Sequence, residues 1–363
     1  MFSLYDPCTL VQAFALSRQG SSHQRATPAK PCQDACGVFS GAYRGEGAMA
    51  VVAADGHGNA AHDRSDIGAQ LAVQTAGELF LDFALRAVDA PPAGLAPMFR
   101  DHFPRQVVKR WREKVEGHAR EAAARTAGDL AGVASTPPEA GDSLWRRYGT
   151  TLLFVGFYRQ YVFVVQLGDG AVVVQHADGR LDSPMPVDPT QFGGRTFSLS
   201  SQDAREHFRS EVFSMEVIAG VLLVTDGVTD AYEKTEKMHQ MLRQILDNRR
   251  TFGLGPSTDV LPDFLDRASK FGSGDDITVA GLVIHAVAVP VVVEEEVEKV
   301  VEKVVVEVAE KVVAVEEEKI EEEKTTELVS SPSRSMNVPY IPHRKRIHES
   351  TLTTLPNSPK IPS

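Results

Sequence analysis

The sequence predicts an α+β fold with a mostly antiparallel sheet. Runs of β-branched and aromatic residues bounded by Gly or Asp recur along residues 1–290, as in 151–158, 161–167 and 171–177, and these runs are typical of strands. Two long segments near the front of the chain carry apolar residues at helical spacing. A mixture of many strands with a few helices grouped in this way favours an α+β architecture.

Helical spacing of apolar residues indicates two long helices and, later in the chain, two shorter ones. Ser65 is expected to cap the first helix, and Pro104 should kink the second or mark its start. Residues 135–143 (STPPEAGDS) are expected to form a loop. The four predicted helices are Asp66–Ala90, Met98–Thr126, Met238–Asn248 and Asp259–Lys270.

The strand-like runs of the central region suggest local connections. Tyr161–Leu167 and Ala171–Ala177 are separated only by Gly168, Asp169 and Gly170, which predicts a hairpin. Residues 183–215 have few periodic positions and many residues that break regular structure. We therefore expect an irregular flap there, between two strands.

The composition changes after about residue 290. Residues 291–330 contain 14 Glu and 5 Lys among repeated Val, and the Val spacing of three and four suits an amphipathic helix. We divide the chain into a folded domain (1–290), a Val/Glu/Lys-rich helix or spacer (291–328) and a basic, Pro/Ser-rich tail (329–363) that should be disordered. The Val-rich segment has two open interpretations, which are self-association and a solvated spacer.

Composition and charge exclude several classes of protein. A formal net charge of −11 argues against a general nucleic-acid binder. No apolar run approaches the roughly 18 residues of a membrane helix, and the N-terminus lacks the pattern of a signal peptide. Three cysteines provide no disulfide framework. These features predict a cytoplasmic protein that does not bind a membrane.

Acidic residues stand at the ends of apolar runs. Asp55 follows residues 48–54, Asp226 comes soon after residues 221–224, and Asp275 follows a Gly-rich turn. Asp34 lies beside another short apolar run. Carboxylates that are packed together repel one another and need a cation in order to share a site. Strand-end carboxylates with adjacent glycines therefore predict a site for a hard cation such as Mg²⁺ or Mn²⁺.

Two such ions about 4 Å apart can activate a bridging water for attack on phosphorus. A site of this kind needs one carboxylate that touches both ions, and Asp55 with Gly56 has the suitable pattern. Asp226 and Asp275 could then hold one ion and Asp34 the other. The sequence contains no zinc signature, P-loop or G-x-S-x-G elbow that would favour different chemistry.

Six stretches in order resemble the motifs of the metal-dependent (type 2C) serine/threonine protein phosphatases, and the segment at 20–35 is similar to a bacterial branch of that family. The resemblance spans roughly residues 15–285 and does not include the tail. The six stretches are QDA (33–35), ADGHGNAAHDRSDIGAQLAV (54–73), YGTTLLFV (148–155), QLGDGAVVV (166–174), LLVTDGVTDAY (222–232) and GSGDDITVAGLV (272–283).

The resemblance implies a fold of two stacked antiparallel β-sheets flanked by helices, with a two-metal site at one end of the sandwich. Asp55 would bridge two ions, Mn²⁺ or Mg²⁺. Asp226 and Asp275 would bind the first ion, and Asp34 and the Gly56 carbonyl would bind the second.

Further roles are implied by the same resemblance. Asp169 matches a position that helps to hold a third, weaker ion, and His57 matches a proposed general acid for the leaving seryl or threonyl oxygen. Many relatives carry on their first strand an Arg that binds the substrate phosphate. This sequence has no clear match for it, and His23 and Arg25 are the candidates.

The implied function is hydrolysis of phosphoserine or phosphothreonine on protein partners, which would place the enzyme opposite a Ser/Thr kinase. Two alternatives remain open. One is a phosphatase fold used as a scaffold or sensor that acts through its tail, although none of the core acids is missing. The other is an enzyme that acts on small phosphorylated metabolites.

Overall fold

The described part of the computed structural model comprises residues 3–6, 9–129, 140–185, 196–253 and 260–286. The chain divides into two units, Met1–Val289 and Pro290–Ser363. The second unit lies outside the described residues, and so do the predictions made for 291–328 and 329–363. The first unit contains the sheets, helices and candidate site described below.

Two sheets form the centre of the first unit, and every pair of neighbouring strands is antiparallel. The strands are β1 (Ser3–Asp6), β2 (Thr9–Arg18), β3 (Ala35–Tyr43), β4 (Glu46–Ala54), β5 (Leu152–Tyr158), β6 (Tyr161–Leu167), β7 (Ala171–His176), β8 (Leu181–Asp182), β9 (Arg209–Ser214), β10 (Ile218–Val224) and β11 (Ile277–Ala286). The first sheet has the order β1-β2-β11-β10-β7-β8, and the second has the order β3-β4-β5-β6-β9.

The α-helices are α1 (Ser21–Arg25), α2 (Ser65–Arg86), α3 (Pro92–Asp129), α4 (Asp142–Arg147), α5 (Asp226–Thr229), α6 (Thr235–Phe252) and α7 (Leu261–Phe271). Among the described residues, no helix combines the length and the apolar character that a membrane crossing requires.

Strand β4 shows why the sheets stack. Successive side chains of a strand point to opposite faces of the sheet. Ala50 and Val52 pack with the helix-side cluster, whereas Met49 and Val51 pack in the cluster between the two sheets, and all four are fully buried. A strand with apolar residues on both faces needs cover on both faces.

Each sheet therefore has the other sheet on one face and helices on the other. Helices α2 and α3 share a buried cluster with the second sheet, and α6 and α7 share one with the first. The α/β/β/α sandwich implied by the resemblance is confirmed.

The predicted hairpin at residues 168–170 is wrong. Strand β6 pairs with β5 and β9 in the second sheet, whereas β7 pairs with β10 and β8 in the first. Gly168 has a φ of 106°, and the Gln166 side chain donates to the Gly170 carbonyl across the turn. The short connection crosses from one sheet to the other, because β6 pairs with the preceding strand β5, and β7 pairs with β8 and with the distant strand β10. The spacing between β6 and β7 carries no information about these pairings.

Two details of the predicted long helices are also wrong. Ser65 is the first residue of α2 and does not cap it, since its hydroxyl accepts a hydrogen bond from Gln33 Nε2 at 2.6 Å. Pro104 lies inside α3 and does not mark its start, which is at Pro92; the kink expected as the alternative stays a prediction. The short helices are close to prediction, at Thr235–Phe252 and Leu261–Phe271.

The irregular flap was predicted too broadly. Residues Arg209–Ser214 form the edge strand β9, because the free edge of β6 supplies a partner that the sequence of the flap does not reveal. Residues 186–195 lie outside the described part of the chain. The predicted loop at 135–143 ends earlier than expected, since Asp142 and Ser143 begin α4, and residues 135–139 are also outside the described part.

An aromatic cluster ties the long helices to the second sheet. Phe80 of α2 is fully buried, and its ring lies 6.2 Å from Phe99 of α3, 5.2 Å from Phe154 of β5 and 5.6 Å from Phe163 of β6, measured between centroids. Rings at these distances contribute both buried area and edge-to-face contacts.

Removal of the Phe80 ring should destabilise the folded domain. We expect Phe80→Ala to lower the free energy of unfolding of the full chain by about 3–5 kcal/mol, because a large buried side chain is replaced by a cavity. Leu85→Ala on the same helix is the control, since Leu85 is 45% exposed and its loss should cost within about 0.5 kcal/mol. Urea denaturation of the three proteins measures the difference, and equal losses for both variants would contradict the assignment.

Candidate active site

A polar cleft lies at one end of the sandwich, where several strands of both sheets begin or end. Its volume is about 680 Å³. Most of the residues singled out in the sequence line it, whereas Asp34 and Arg25 do not. The sequence-predicted residues in the lining are His23, Asp55, Gly56, His57, Asp169, Asp226 and Asp275.

Three carboxylates meet in this cleft. Asp55 follows β4, Asp226 follows β10 by one residue, and Asp169 lies in the β6–β7 connection. One carboxylate oxygen from each lies within 4.8 Å of the others. The crossing of the chain between the sheets at residues 168–170 is what brings Asp169 to the other two.

Burial and mutual repulsion perturb this group of acids. Burial raises the pKa of Asp55 well above its ordinary value, and the charges of Asp34 and Asp226 raise it further. Burial likewise raises the pKa of Asp226 to about 6, and the charge of Asp169 adds to that effect. The carboxyls of Asp55 and Asp226 are also hydrogen-bonded to each other. In the absence of a cation, protons relieve the repulsion.

The backbone at Asp55 is held from both sides. Its N–H donates to Thr151 Oγ1 at 3.0 Å, and its carbonyl accepts from Thr150 Oγ1 at 2.8 Å. Gly56 is needed for close packing, because a Cβ there would lie 2.6 Å from the Ser65 carbonyl oxygen and 2.7 Å from that of Gln33. The motif that follows β4 is thus fixed against the QDA segment and α2.

A second group contains His23, Asp275 and Asp276, whose potential ligand atoms also lie within 4.8 Å of one another. Buried Asp276 accepts hydrogen bonds from Gly20 N at 2.5 Å, Gln33 N at 2.6 Å and His23 Nδ1 at 3.0 Å. His23 Nε2 lies 3.7 Å from Asp275 Oδ1. Asp276 therefore joins three segments of chain and orients the His23 ring, a role that the sequence did not reveal.

Asp34 lies behind the cleft and not in its lining. It is 7% exposed, and its Oδ2 accepts hydrogen bonds from Thr225 Oγ1 at 2.9 Å and Thr278 Oγ1 at 2.6 Å. Burial is the main cause that raises its pKa to about 8. Its charge still acts on Asp55, so it lies next to the acid group although it is not among the residues that line the cleft.

The two candidate phosphate-binding residues differ in position. His23 is buried and lines the cleft. Arg25 is exposed, and its Nη2 lies 3.5 Å from Ser21 Oγ in the same short helix. The structure therefore places His23 beside the acids and Arg25 outside their cleft.

His57 lies beside a second histidine. Its backbone N–H donates to the Gly149 carbonyl at 3.1 Å, and its ring centroid is 4.9 Å from that of His62. Burial, with a smaller effect of His62, lowers the pKa of His57 to about 4. The imidazole is therefore neutral near pH 7 when no anion or cation is bound.

Several residues of the cleft were not found by sequence reasoning. Arg146 of α4 lines it, as do Asp142, Ser198 and Ser200. Ser198 Oγ accepts from Thr150 N at 3.1 Å, which places this part of the predicted flap against the YGTT motif. Arg146 stands two residues before that motif, but neither its spacing nor its neighbours distinguish it from other surface arginines.

The donor set fits a hard divalent cation. The convergent groups of the cleft are carboxylate oxygens, which Mg²⁺ and Mn²⁺ prefer, and the raised pKa values of Asp55 and Asp226 show that the group is short of positive charge. Carboxyl groups whose pKa is raised in this way hold protons that a bound cation can replace.

Comparison with solved structures gives distant matches. The serine/threonine phosphatase Stp1 from Staphylococcus aureus is 14% identical, covers 76% of this chain and 95% of its own, and has a TM-score of 0.46. PppA, described as a key regulatory component of T6SS in Pseudomonas aeruginosa, is 17% identical, with 78% and 100% coverage and a TM-score of 0.45. The catalytic domain of PstP, solved with two manganese ions, is 17% identical, with 76% and 99% coverage and a TM-score of 0.43.

Sequence comparison identifies the family. No curated protein matches the sequence at a significant level. A family model described as Protein phosphatase 2C matches residues 19–266, which include most of the described domain. Over more than half of its length, this chain therefore belongs to the protein phosphatase 2C family.

Proposed function

We propose that this chain is a metal-dependent phosphatase that hydrolyses phosphoserine and phosphothreonine on protein partners. The observation that carries the proposal is the convergence of Asp55, Asp169 and Asp226 within 4.8 Å in a polar cleft, in a chain of the protein phosphatase 2C family. A family member that acts as a scaffold has no need to retain buried carboxylates that repel one another.

The acids of the cleft would hold the cations, Mn²⁺ or Mg²⁺. We assign Asp55 to both of two ions, Asp226 and Asp275 to the first, and the Gly56 carbonyl with Asp34 to the second. Asp169 is assigned to a third. When bound, such cations supply an activated water and neutralise the charge on the phosphoryl oxygens.

The position of Asp34 gives it a distinct part in this assignment. Its Oδ2 is engaged by two threonine hydroxyls. Those bonds hold the carboxylate in one orientation and leave its other oxygen outside both of them, while its charge acts on Asp55.

His57 is the group that we assign to protonation of the leaving seryl or threonyl oxygen. It lines the cleft two residues after Asp55, and the Gly149 carbonyl holds its backbone. A phosphate dianion beside the ring favours the imidazolium form, which opposes the effect of burial on its pKa. General-acid assistance matters most when the leaving oxygen is strongly basic, as the threonyl oxygen is.

A protein substrate implies a kinase that places the phosphate. The proposed chemistry needs phosphorylated Ser or Thr, so the chain would act opposite a Ser/Thr kinase. Release of phosphate from a phosphothreonine peptide, measured with Mn²⁺, with Mg²⁺ and with chelator, tests the proposal as a whole. No release under any condition by a folded chain would favour the scaffold or sensor interpretation.

Loss of one acid should abolish turnover. We expect Asp55→Asn and Asp226→Asn each to lower kcat on a phosphothreonine peptide by at least about a hundredfold, since a neutral amide cannot replace a carboxylate that neutralises cation charge. Asp178→Asn, in the turn at the other end of β7 from Asp169, is the control and should stay within about twofold. Circular dichroism checks that each variant is folded, and full activity in either cleft variant would exclude the assignment.

The role of His57 depends on the leaving group. His57→Gln should lower kcat on the phosphothreonine peptide by about a hundredfold or more, as is usual when a general acid is removed. The loss on p-nitrophenyl phosphate should be much smaller, because p-nitrophenolate leaves without protonation. Steady-state kinetics on both substrates measures the ratio, and an equal loss on both would show that His57 does not act as a general acid.

The raised carboxyl pKa values predict a pH dependence of stability in the metal-free chain. Asp226 and Asp34 have folded pKa values of about 6 and about 8, above their values in the unfolded chain. Between about pH 4 and pH 8 the folded state holds protons that the unfolded state has lost, so stability should fall as pH rises through this window.

Urea denaturation with chelator, compared with the same series in Mn²⁺, checks this expectation. Bound cation replaces the protons, so the decrease in the free energy of unfolding with rising pH should be smaller in Mn²⁺. Asp226→Asn in chelator should also reduce the slope, because it removes one of the titrating groups. Identical slopes with and without Mn²⁺ would show that these acids do not form the cation site.

A further inference from the structure

A positive side chain in the cleft would assist the proposed reaction by binding the phosphoryl oxygens. The sequence has no clear match for the first-strand arginine that the resemblance implies. The question of which residue supplies this positive group rests on the proposed function. The structure narrows the choice among the arginines and histidines near the cleft.

Arg18, at the end of β2, already forms a salt bridge. Its Nε and Nη2 donate to the two carboxylate oxygens of Asp266 on α7, at 2.8 Å and 2.7 Å. This bidentate pair occupies the Nε/Nη2 edge of the guanidinium and holds the side chain toward α7. Arg18 also does not line the cleft.

The two residues favoured by sequence are also poorly placed. His23 donates from Nδ1 to Asp276, and its Nε2 faces Asp275 at 3.7 Å, so both ring nitrogens lie against carboxylates. Arg25 is exposed outside the cleft lining. Neither arrangement offers a free cation to a dianion.

Arg146 of α4 lines the cleft that contains the acids. Among the described residues that line the cleft with Asp55, Asp226 and His57, it alone is an arginine or a lysine. Asp142, one turn earlier on α4, lines the same cleft but bonds to the Gln202 side chain. Within the described part of the chain, no carboxylate oxygen lies within 4.0 Å of the Arg146 guanidinium nitrogens.

The backbone that carries Arg146 is fastened to the His57 motif. The Arg146 carbonyl lies 2.5 Å from His62 Nδ1, and the His62 ring contacts His57. The neighbouring Arg147 donates to both oxygens of Asp63 at 2.8 Å and 2.7 Å. The end of α4 is therefore fixed relative to His57, while the Arg146 side chain itself is exposed and can move.

We propose that Arg146 binds the phosphate group of the substrate. A planar guanidinium matches two phosphoryl oxygens with two parallel charge-assisted hydrogen bonds, which suits it to this task better than an ammonium or an imidazole. The position supplies the cation from a helix that precedes the YGTT motif, and not from the first strand. The acids then bind cations while Arg146 binds the anion that those cations attract.

Kinetics and product binding test the proposal with Arg146→Ala, Arg146→Lys and a matched control, Arg243→Ala on α6. Arg243 is also exposed and lies outside the cleft lining, and its loss changes the net charge by the same amount. Arg146→Ala should raise KM for p-nitrophenyl phosphate, KM for a phosphothreonine peptide and the inhibition constant of inorganic phosphate, each by about tenfold or more. Arg146→Lys should be intermediate, and Arg243→Ala should match the wild type.

Two results would overturn the proposal. One is KM and phosphate inhibition within twofold of wild type in Arg146→Ala. The other is a rise in KM that is confined to the peptide, which would assign Arg146 to the polypeptide part of the substrate.

The test separates this proposal from the proposed function. If the wild type were inactive, the phosphatase assignment would fail. Calorimetric binding of inorganic phosphate in Mn²⁺ by wild type, Arg146→Ala and Arg243→Ala would still decide the role of Arg146: a loss of affinity confined to Arg146→Ala supports it, and equal affinity in all three excludes it.

Discussion

Repulsion among buried carboxylates is the constraint on which the site depends. Asp34, Asp55 and Asp226 lie close enough for their charges to act on one another, and burial raises the pKa of each. Left to themselves, such groups would separate or remain protonated. They stay together because the strands beside Asp55 and Asp226 are internal strands, with β4 paired between β3 and β5, and β10 between β7 and β11. The sandwich therefore holds an unfavourable arrangement of charge, which raises the pKa values of these carboxyls.

The supporting contacts leave the negative charge of the site intact. Asp34 is held by two threonine hydroxyls, and Asp276 by two backbone N–H groups and a histidine ring. Hydroxyl and backbone N–H donors orient carboxylates without neutralising them, whereas a salt bridge to Lys or Arg would occupy the position of a cation. In the described cleft the arginine comes from helix α4, a separate element, so binding of anion and binding of cation are assigned to different parts of the fold.

Sequence reasoning succeeded where the signal was local. Asp55, Asp226 and Asp275 were found because each follows an apolar run or a glycine-rich turn, and the structure brings all three to one cleft. It failed where the outcome depended on contacts between segments that local spacing does not specify. The hairpin at 168–170 was inferred from a short glycine-rich connection, but β6 and β7 belong to different sheets. Likewise Arg146 has no local signal, since only the packing of α4 against the His57 motif places it in the cleft.

The sequence by itself determined the fold class, the family and most of the residues of the candidate site. Apolar runs that are buried on both strand faces, and carboxylates at strand ends, can be recognised from the order of residues along the chain. The tertiary structure decided which strands share a sheet, that Asp34 lies behind the cleft, and that Arg146 lines it and Arg25 does not. These features depend on pairing and packing between segments that are far apart in the chain. Such contacts depend on the free energy of the whole domain, so short sequence patterns do not predict them.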